Sequence, residues 1–158
     1  MKQEIKQAFN EQGYSFLLPI QEKAIPQILS RKNLFIQAAT GSGKTLAYLL
    51  PALEIADAAS NDTQILIITP TRELALQVSE VAKNTANYSK HHIVTVIGGL
   101  DIHKQENALR HRPTIIIGTP GRLMNLYSQK KIDLSHLLLC VVDEVDMVIS
   151  TGQRKETE

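Results

Sequence analysis

Tryptophan is absent from this 158-residue chain, and cysteine occurs only once, at Cys140. A single cysteine cannot form an intrachain disulfide, which excludes the class of small secreted domains held together by such bonds. Because Cys140 lies in the apolar run 137–142, the pattern predicts a buried, unreactive thiol. No apolar run reaches the roughly 18 residues of a membrane span, and the first residues do not resemble a signal peptide. We therefore expect a cytoplasmic protein with no membrane partner.

A strong charge of either sign is also missing. The formal net charge is +1, so any site for nucleic acid must be a local patch rather than a property of the whole surface. Hydrophobic residues make up 43% and charged residues 21% of the chain, as in ordinary globular proteins. A chain of 158 residues is long enough to bury a core, and we expect one domain over residues 1–158.

Apolar segments alternate with segments of helical periodicity along most of the chain. Strands that are apolar on both faces and separated by helices indicate an α/β fold, a parallel sheet with helices on both faces. The predicted strands are 33–37, 64–69, 93–97, 114–119 and 137–142. The predicted helices are 2–12, 19–29 with a kink at Pro26, a helix opening on Gly43 or Lys44, 72–89, 101–109 and 121–127. The polar end, 151–158, is expected to fray.

The loop between the first predicted strand and the following helix reads Ala38-Ala39-Thr40-Gly41-Ser42-Gly43-Lys44-Thr45. Strand, glycine-bearing loop and Gly-Lys-Thr at a helix start are the context of a P-loop, although the strict pattern has glycine in place of Ala38. Backbone N–H groups and the helix dipole would hold phosphates, Lys44 would reach the β- and γ-phosphates, and Thr45 would complete a Mg²⁺ shell. The alternative is a glycine-rich turn that caps a helix, with Lys44 solvated.

The last predicted strand runs into an acidic turn, Val141-Val142-Asp143-Glu144-Val145-Asp146. In an open α/β sheet, ligands bind beyond the carboxyl ends of the strands. Asp143 is placed to hold Mg²⁺ through water, and Glu144 to orient or deprotonate an attacking water. Alternatively, these acids only stabilise a helix N-terminus through its dipole.

Three other predicted strands also end in turn formers next to possible phosphate donors. The sequences are Pro70-Thr71-Arg72-Glu73-Leu74, Gly98-Gly99 and Thr119-Pro120-Gly121-Arg122. Hydroxyl, backbone and arginine donors near helix starts suit contacts to a sugar-phosphate backbone. Taken singly, each segment could be turn chemistry alone, but all three are expected at one edge of the sheet.

In this order, the P-loop, the three turns and the acidic turn resemble the first RecA-like domain of DEAD-box ATP-dependent RNA helicases, whose P-loop begins with alanine. The resemblance implies a P-loop NTPase fold that uses ATP and Mg²⁺ and grips single-stranded RNA or duplex ends without reading sequence. It implies catalytic roles for Lys44, Asp143 and Glu144, and metal contacts from Thr45 and Asp143. The implied ATP-binding residues are Gln21, Ala39, Thr40, Gly41, Ser42, Gly43, Lys44 and Thr45. The implied RNA-binding residues are Thr71, Arg72, Gly99, Thr119, Gly121 and Arg122.

The chain departs from the family pattern in four ways. Val145 replaces alanine in the name-giving motif, Leu17 and Leu18 replace a proline and a hydroxyl residue beside Gln21, and the family's adenine-stacking aromatic residue would fall before Met1. The sequence also ends before the Ser-Ala-Thr motif and the second RecA-like domain.

From the early end of the sequence we expect a partial domain, nearly inactive alone, with an unfilled strand position between 33–37 and the strand ending at Asp143. Both unpaired edges beside that position are expected to destabilise the domain. The alternatives are a non-catalytic module that binds nucleotide or RNA, and a P-loop ATPase acting on DNA or protein.

Overall fold

The computed structural model describes residues 1–39 and 41–153 of the chain. Seven helices and four strands lie within this part. Every predicted helix is present, with ends that differ from the prediction by a few residues. In chain order the elements are α1 (Gln3–Glu11), α2 (Pro19–Leu29), α3 (Lys44–Ile55), β1 (Ile65–Ile68), α4 (Arg72–Thr85), β2 (Ile93–Val96), α5 (Ile102–Arg110), β3 (Ile115–Gly118), α6 (Pro120–Ser128), β4 (Leu139–Val142) and α7 (Val145–Gln153).

The four strands form one parallel sheet in the order β2-β3-β1-β4. Successive side chains of a strand point to opposite faces, so each strand contributes to two apolar clusters. Ile65 and Ile67 of β1 pack in a cluster with α1, α2, α3 and α4. Leu66 lies in the other cluster, with Leu123 and Leu126 of α6. The predicted α/β architecture, with helices on both faces of a parallel sheet, is therefore confirmed.

The predicted strand at 33–37 is wrong in this structure. The segment has no strand conformation, and Phe35 is 81% exposed. A strand is stabilised by hydrogen bonds to a neighbour, and none of the described strands lies beside this segment. Leu34 and Phe35 are therefore exposed to water, while Ile36 still packs against the first cluster.

Strand β4 forms one edge of the sheet and pairs only with β1 within the described residues. Leu139 and Val141 pack against the first cluster, whereas Cys140 and Val142 are exposed. The prediction of a buried Cys140 is thus wrong, because α5 and α6 cover the neighbouring strands but not this face of β4. Partial desolvation still raises the pKa of Cys140 above its usual value, which disfavours the reactive thiolate.

Residues 151–153 of the end that is expected to fray form the last turn of α7, which extends to Gln153. Residues 154–158, also included in that prediction, lie outside the described residues.

Helix α6 ends in a turn that places a lysine where glycine is usual. Lys130 has φ 57°, in the left-handed region, and its N–H donates to the Tyr127 carbonyl at 2.9 Å. The Lys131 N–H donates to the Leu126 carbonyl at 2.9 Å, which completes a Schellman motif. Arg31 and Arg112 also have positive φ just beyond α2 and α5.

We expect Lys130→Gly to stabilise the protein by about 0.5–1 kcal/mol. The left-handed conformation costs residues other than glycine roughly 1–2 kcal/mol, which the substitution removes. Part of this stabilisation is lost because glycine gives the unfolded chain more conformational entropy. Thermal unfolding should shift upward by roughly 1–4 °C. Lys130→Ala is the control, since it removes the charge and keeps the Cβ. An equal gain from alanine would show that the charge, and not the backbone conformation, limits stability here.

Candidate functional site

The carboxyl ends of the four parallel strands lie along one edge of the sheet, and most of the predicted site residues follow them. Thr71 and Arg72 come after β1, Gly99 after β2, Thr119 after β3 and Asp143 after β4. The P-loop joins this edge because Tyr48, in the first turns of the helix α3 that follows the loop, bonds to Asp143. The structure therefore collects these residues on the side of the sheet where ligands bind in open α/β folds.

The P-loop leads directly into α3, which begins at Lys44 as predicted. Gly43 precedes the helix with φ 88°, a conformation that other residues rarely adopt. The Lys44 Nζ donates to the Ala38 carbonyl oxygen at 2.5 Å, so the ammonium group lies across the loop. The Ser42 hydroxyl is buried and has no hydrogen-bond partner within the described residues. Thr40, predicted to bind ATP, lies outside the described residues.

Gln21 connects α2 to the P-loop. Its side chain is almost fully buried; its Oε1 accepts from the Leu18 N–H at 2.9 Å, and its Nε2 donates to the Gly43 carbonyl at 3.1 Å. The two are so close that a Cβ added to Gly43 would lie 2.6 Å from Gln21 Nε2. An amide group has two donors and two acceptor sites, so one of each remains for another partner. Adenine contact by Gln21 stays a prediction.

Asp143 is held from two sides at the end of β4. Its Oδ2 accepts from the Tyr48 hydroxyl at 2.9 Å, and its Oδ1 accepts from the Glu144 N–H at 3.0 Å. Glu144 is exposed and has φ 48°, an uncommon conformation for a residue with a long side chain. The acidic turn therefore has a fixed carboxylate followed by a carboxylate that faces solvent.

Tyr48 was not predicted to belong to the site. It lies one helical turn after Thr45 in an apolar stretch that resembles ordinary core sequence. Burial, followed by the charge of Asp143 and the hydrogen bond to it, raises the pKa of Tyr48 far above its usual value, and the Thr45 hydroxyl acts in the opposite direction. The helical spacing between Thr45 and Tyr48 could have suggested that these two side chains interact, but nothing in the sequence links Tyr48 to Asp143.

The side chains near Asp143 suit a magnesium ion that arrives with phosphates. Mg²⁺ keeps several waters and usually takes only one or two protein carboxylates together with substrate phosphates. Asp143 and the hydroxyl of Thr45 supply such a set, since both contact Tyr48. Within the described residues no group of three or more His, Cys, Asp or Glu side chains could hold a metal by itself.

On the other part of the edge, Arg72 lies against the turn after β2. A Cβ added to Gly98 would lie 3.3 Å from an Arg72 guanidinium nitrogen, and Gly99 is even closer to that group. Gln105 of α5 is buried and bonds to both the N–H and the carbonyl of Ile97, each at 3.0 Å. Sequence reasoning missed Gln105, which fixes the backbone just before the two glycines.

The remaining predicted RNA-binding residues differ in how far the fold already uses their polar groups. The Thr71 hydroxyl caps α4 by accepting from the Leu74 N–H at 3.2 Å, so part of its chemistry is structural. Thr119 precedes α6 without a capping hydrogen bond from its side chain, and Gly121 is exposed. Arg122 has a buried Nη1 with no hydrogen-bond partner in the described part of the chain. A buried, unpaired guanidinium nitrogen calls for an acceptor.

Three comparisons bear on this arrangement. The family model for "DEAD/DEAH box helicase" matches residues 18–158. The chain is 42% identical over 153 residues to the ATP-dependent RNA helicase CshA of Listeria monocytogenes, covering 96% of the chain and 29% of that protein. It is 38% identical to the DEAD-box ATP-dependent RNA helicase CshA of Bacillus subtilis, covering 96% of the chain and 31% of that protein.

A solved structure with the same architecture is that of a hypothetical ATP-dependent RNA helicase from Sulfolobus tokodaii. It superposes with a TM-score of 0.89 at 36% identity, covering 99% of this chain and 45% of that one. The chain thus spans about a third of the length of the curated relatives and less than half of the solved structure. Among the described helices, none has the length and apolar character that crossing a membrane requires. Sequence family and architecture agree, and the chain belongs to the DEAD/DEAH box helicase family.

Proposed function

We propose that this chain binds ATP with Mg²⁺ and the backbone of single-stranded RNA at the carboxyl edge of its sheet. Together with a second RecA-like domain, it would couple ATP hydrolysis to local unwinding of an RNA duplex. The observation that carries the proposal is the hydrogen bond from Tyr48 to Asp143, because it brings the P-loop helix and the acidic turn together at the edge where the RNA-directed residues also lie.

On the nucleotide side, each residue has a physical role. The start of α3 offers unpaired N–H groups and the positive end of its dipole to phosphate oxygens. Lys44 supplies a mobile positive charge, and Asp143 with Thr45 would hold Mg²⁺, which neutralises charge that develops on the phosphates. Glu144 faces solvent, where it can orient or deprotonate a water molecule.

On the RNA side, the available donors favour backbone contacts over base readout. Arg72 and Arg122 are cations, while Thr119, Gly99 and Gly121 offer a hydroxyl group and backbone N–H groups close to the surface. Hydroxyl groups, backbone N–H groups and arginines are the donors that proteins direct to phosphate and sugar. Binding should therefore be independent of sequence.

Arg122→Ala should weaken binding to all single-stranded RNA sequences alike and make it less sensitive to salt. Each phosphate neutralised contributes roughly −0.7 to the log–log salt slope, so two arginines predict a slope of about −1 to −2, which loses about 0.7 in the variant. The fold should persist, because the buried Nη1 of Arg122 has no hydrogen bond to lose in the described structure. Fluorescence anisotropy of labelled RNAs over a potassium chloride series measures both quantities.

Arg110→Ala is the matched control, since Arg110 is exposed at the end of α5, which leads to the opposite edge of the sheet. It should leave the slope unchanged. The proposal fails on its RNA side if the two variants behave alike, or if Arg122→Ala affects only one base composition. A DNA strand of the same sequence, compared in parallel, separates an RNA-directed site from an ATPase that acts on DNA.

A further inference from the structure

The buried phenol of Tyr48 links two elements whose relative position matters to the proposed mechanism. Tyr48 belongs to α3, one turn beyond Thr45, and its hydroxyl donates to Asp143 Oδ2 at 2.9 Å across 95 residues of sequence. The second carboxylate oxygen is held by the Glu144 N–H. With both oxygens engaged, the Asp143 carboxylate has one defined orientation.

We propose that Tyr48 is a positioning residue for magnesium: it orients the Asp143 carboxylate and joins it to the P-loop helix that carries Thr45. The inference rests on the proposed function, because it assigns Mg²⁺ to this pair of residues. Tyr48 itself would not touch the ion. It would act as an outer partner that fixes a metal ligand, a role whose loss typically costs about 10- to 100-fold in metal affinity.

The two hydrogen bonds orient the Asp143 carboxylate without using all of its acceptor sites. A carboxylate has about four lone-pair directions, and the two hydrogen bonds use one on each oxygen. One direction per oxygen remains for a magnesium-bound water. Without the phenol, the side chain can rotate about its bonds, and that freedom must be lost each time the ion binds.

A simpler explanation is that a buried tyrosine hydroxyl needs some hydrogen-bond partner and Asp143 happens to supply it. That structural role would affect stability but not the dependence of nucleotide binding on magnesium. The two explanations can therefore be separated by a magnesium titration.

The experiment uses Tyr48→Phe, which keeps the ring and removes only the hydroxyl. A fluorescent ADP analogue is titrated into the chain in excess EDTA and then over a range of magnesium concentrations. We expect the affinity in EDTA to stay within about twofold of the unmodified chain and the half-saturating Mg²⁺ concentration to rise about 10- to 100-fold. Tyr127→Phe, on the exposed face of α6, is the control and should change neither value.

The outcomes distinguish this inference from the proposed function. If the unmodified chain binds the analogue with no dependence on magnesium, the proposed magnesium site itself is refuted. If the unmodified chain depends on magnesium and Tyr48→Phe depends on it equally, the positioning role is refuted while the site stands. A lower half-saturating concentration in the variant would also refute the role, since the phenol would then compete with the ion for Asp143. Thermal unfolding of both variants without ligands records any purely structural loss.

Discussion

The 158-residue chain assayed alone should hydrolyse ATP roughly 10³- to 10⁵-fold more slowly than the same chain joined to a second RecA-like domain. The expected factor is the typical contribution to the rate of an arginine that contacts the phosphate being transferred. The family resemblance assigns such arginines to the second domain. The site described above supplies phosphate, metal and water contacts, but its own arginines lie along the sheet toward the RNA-directed turns.

The strand order indicates how far Arg72 and Arg122 lie from Asp143 across the sheet. The Arg72 guanidinium lies over Gly98 and Gly99, beyond β2, and β2 is three strand positions from β4. At about 4.8 Å per strand, the separation from Asp143 is roughly 14 Å. Arg122 follows β3, two positions from β4, or roughly 10 Å. Neither arginine is placed to stabilise charge beside Asp143.

The measurement is phosphate release with saturating single-stranded RNA. It compares the 158-residue chain with a chimera in which the remaining part of the Listeria relative follows it. The chimera should turn over ATP, and a chimera that also carries Glu144→Gln should fall back toward the rate of the chain alone. RNA-stimulated turnover by the chain alone, within tenfold of the chimera, would show that the site is catalytically sufficient.

The sequence predicted the covered part of the sheet well, for a physical reason. The runs at β1, β2 and β3 are apolar or β-branched, and they lie next to one another with helices on both faces. For these strands, local pattern and tertiary environment agree. The P-loop helix was equally predictable, since Gly43 with positive φ directly before Lys44 is what the motif requires.

The same reasoning failed wherever the environment was incomplete. The segment 33–37 has the composition of a strand, but no described strand lies beside it, and Phe35 is in solvent. Cys140 and Val142 have the composition of a core, but none of the helices in the described part of the chain covers that face of β4. Apolar composition shows that a segment would be stabilised by burial. Whether it is buried depends on a neighbouring element, which the local sequence pattern does not specify.

Because segment 33–37 is not a strand, only the β4 edge of the two expected unpaired edges exists, and its exposed Cys140 and Val142 place it at the surface. A buried unpaired backbone group costs about 1–3 kcal/mol, whereas a solvated one forms hydrogen bonds with water. The liability of the β4 edge is thus pairing with another chain rather than internal strain, as for other exposed, apolar edge strands.

Tyr48 and Gln105 were missed for a different reason. Each has a polar group that bonds to a distant part of the chain: Asp143 for Tyr48, and the Ile97 backbone for Gln105. Within their helices both residues look ordinary. Only the tertiary structure shows that they support residues of the site.

Lys44→Ala should weaken nucleotide binding by about 10- to 150-fold, because a hydrogen bond to a charged group contributes roughly 1.5–3 kcal/mol. The expected loss is near the upper end, since Lys44 supplies a full charge at the start of α3 to a ligand with several negative oxygens. In the structure the ammonium group contacts the Ala38 carbonyl, and phosphate oxygens would replace that contact when nucleotide binds. The alanine variant removes both contacts but keeps a good helix-forming residue at the first position of α3.

Isothermal titration calorimetry with ADP and magnesium measures the loss directly. Lys23→Ala, an exposed lysine on α2, is the control and should bind as the unmodified chain does. Thermal unfolding without nucleotide should show little difference between the two variants, which separates a lost ligand contact from a damaged fold. If Lys44→Ala folds normally and its affinity stays within twofold of the unmodified chain, Lys44 does not contact phosphate. In that case the loop from Ala38 to Thr45 is the glycine-rich helix cap that the sequence left as the alternative.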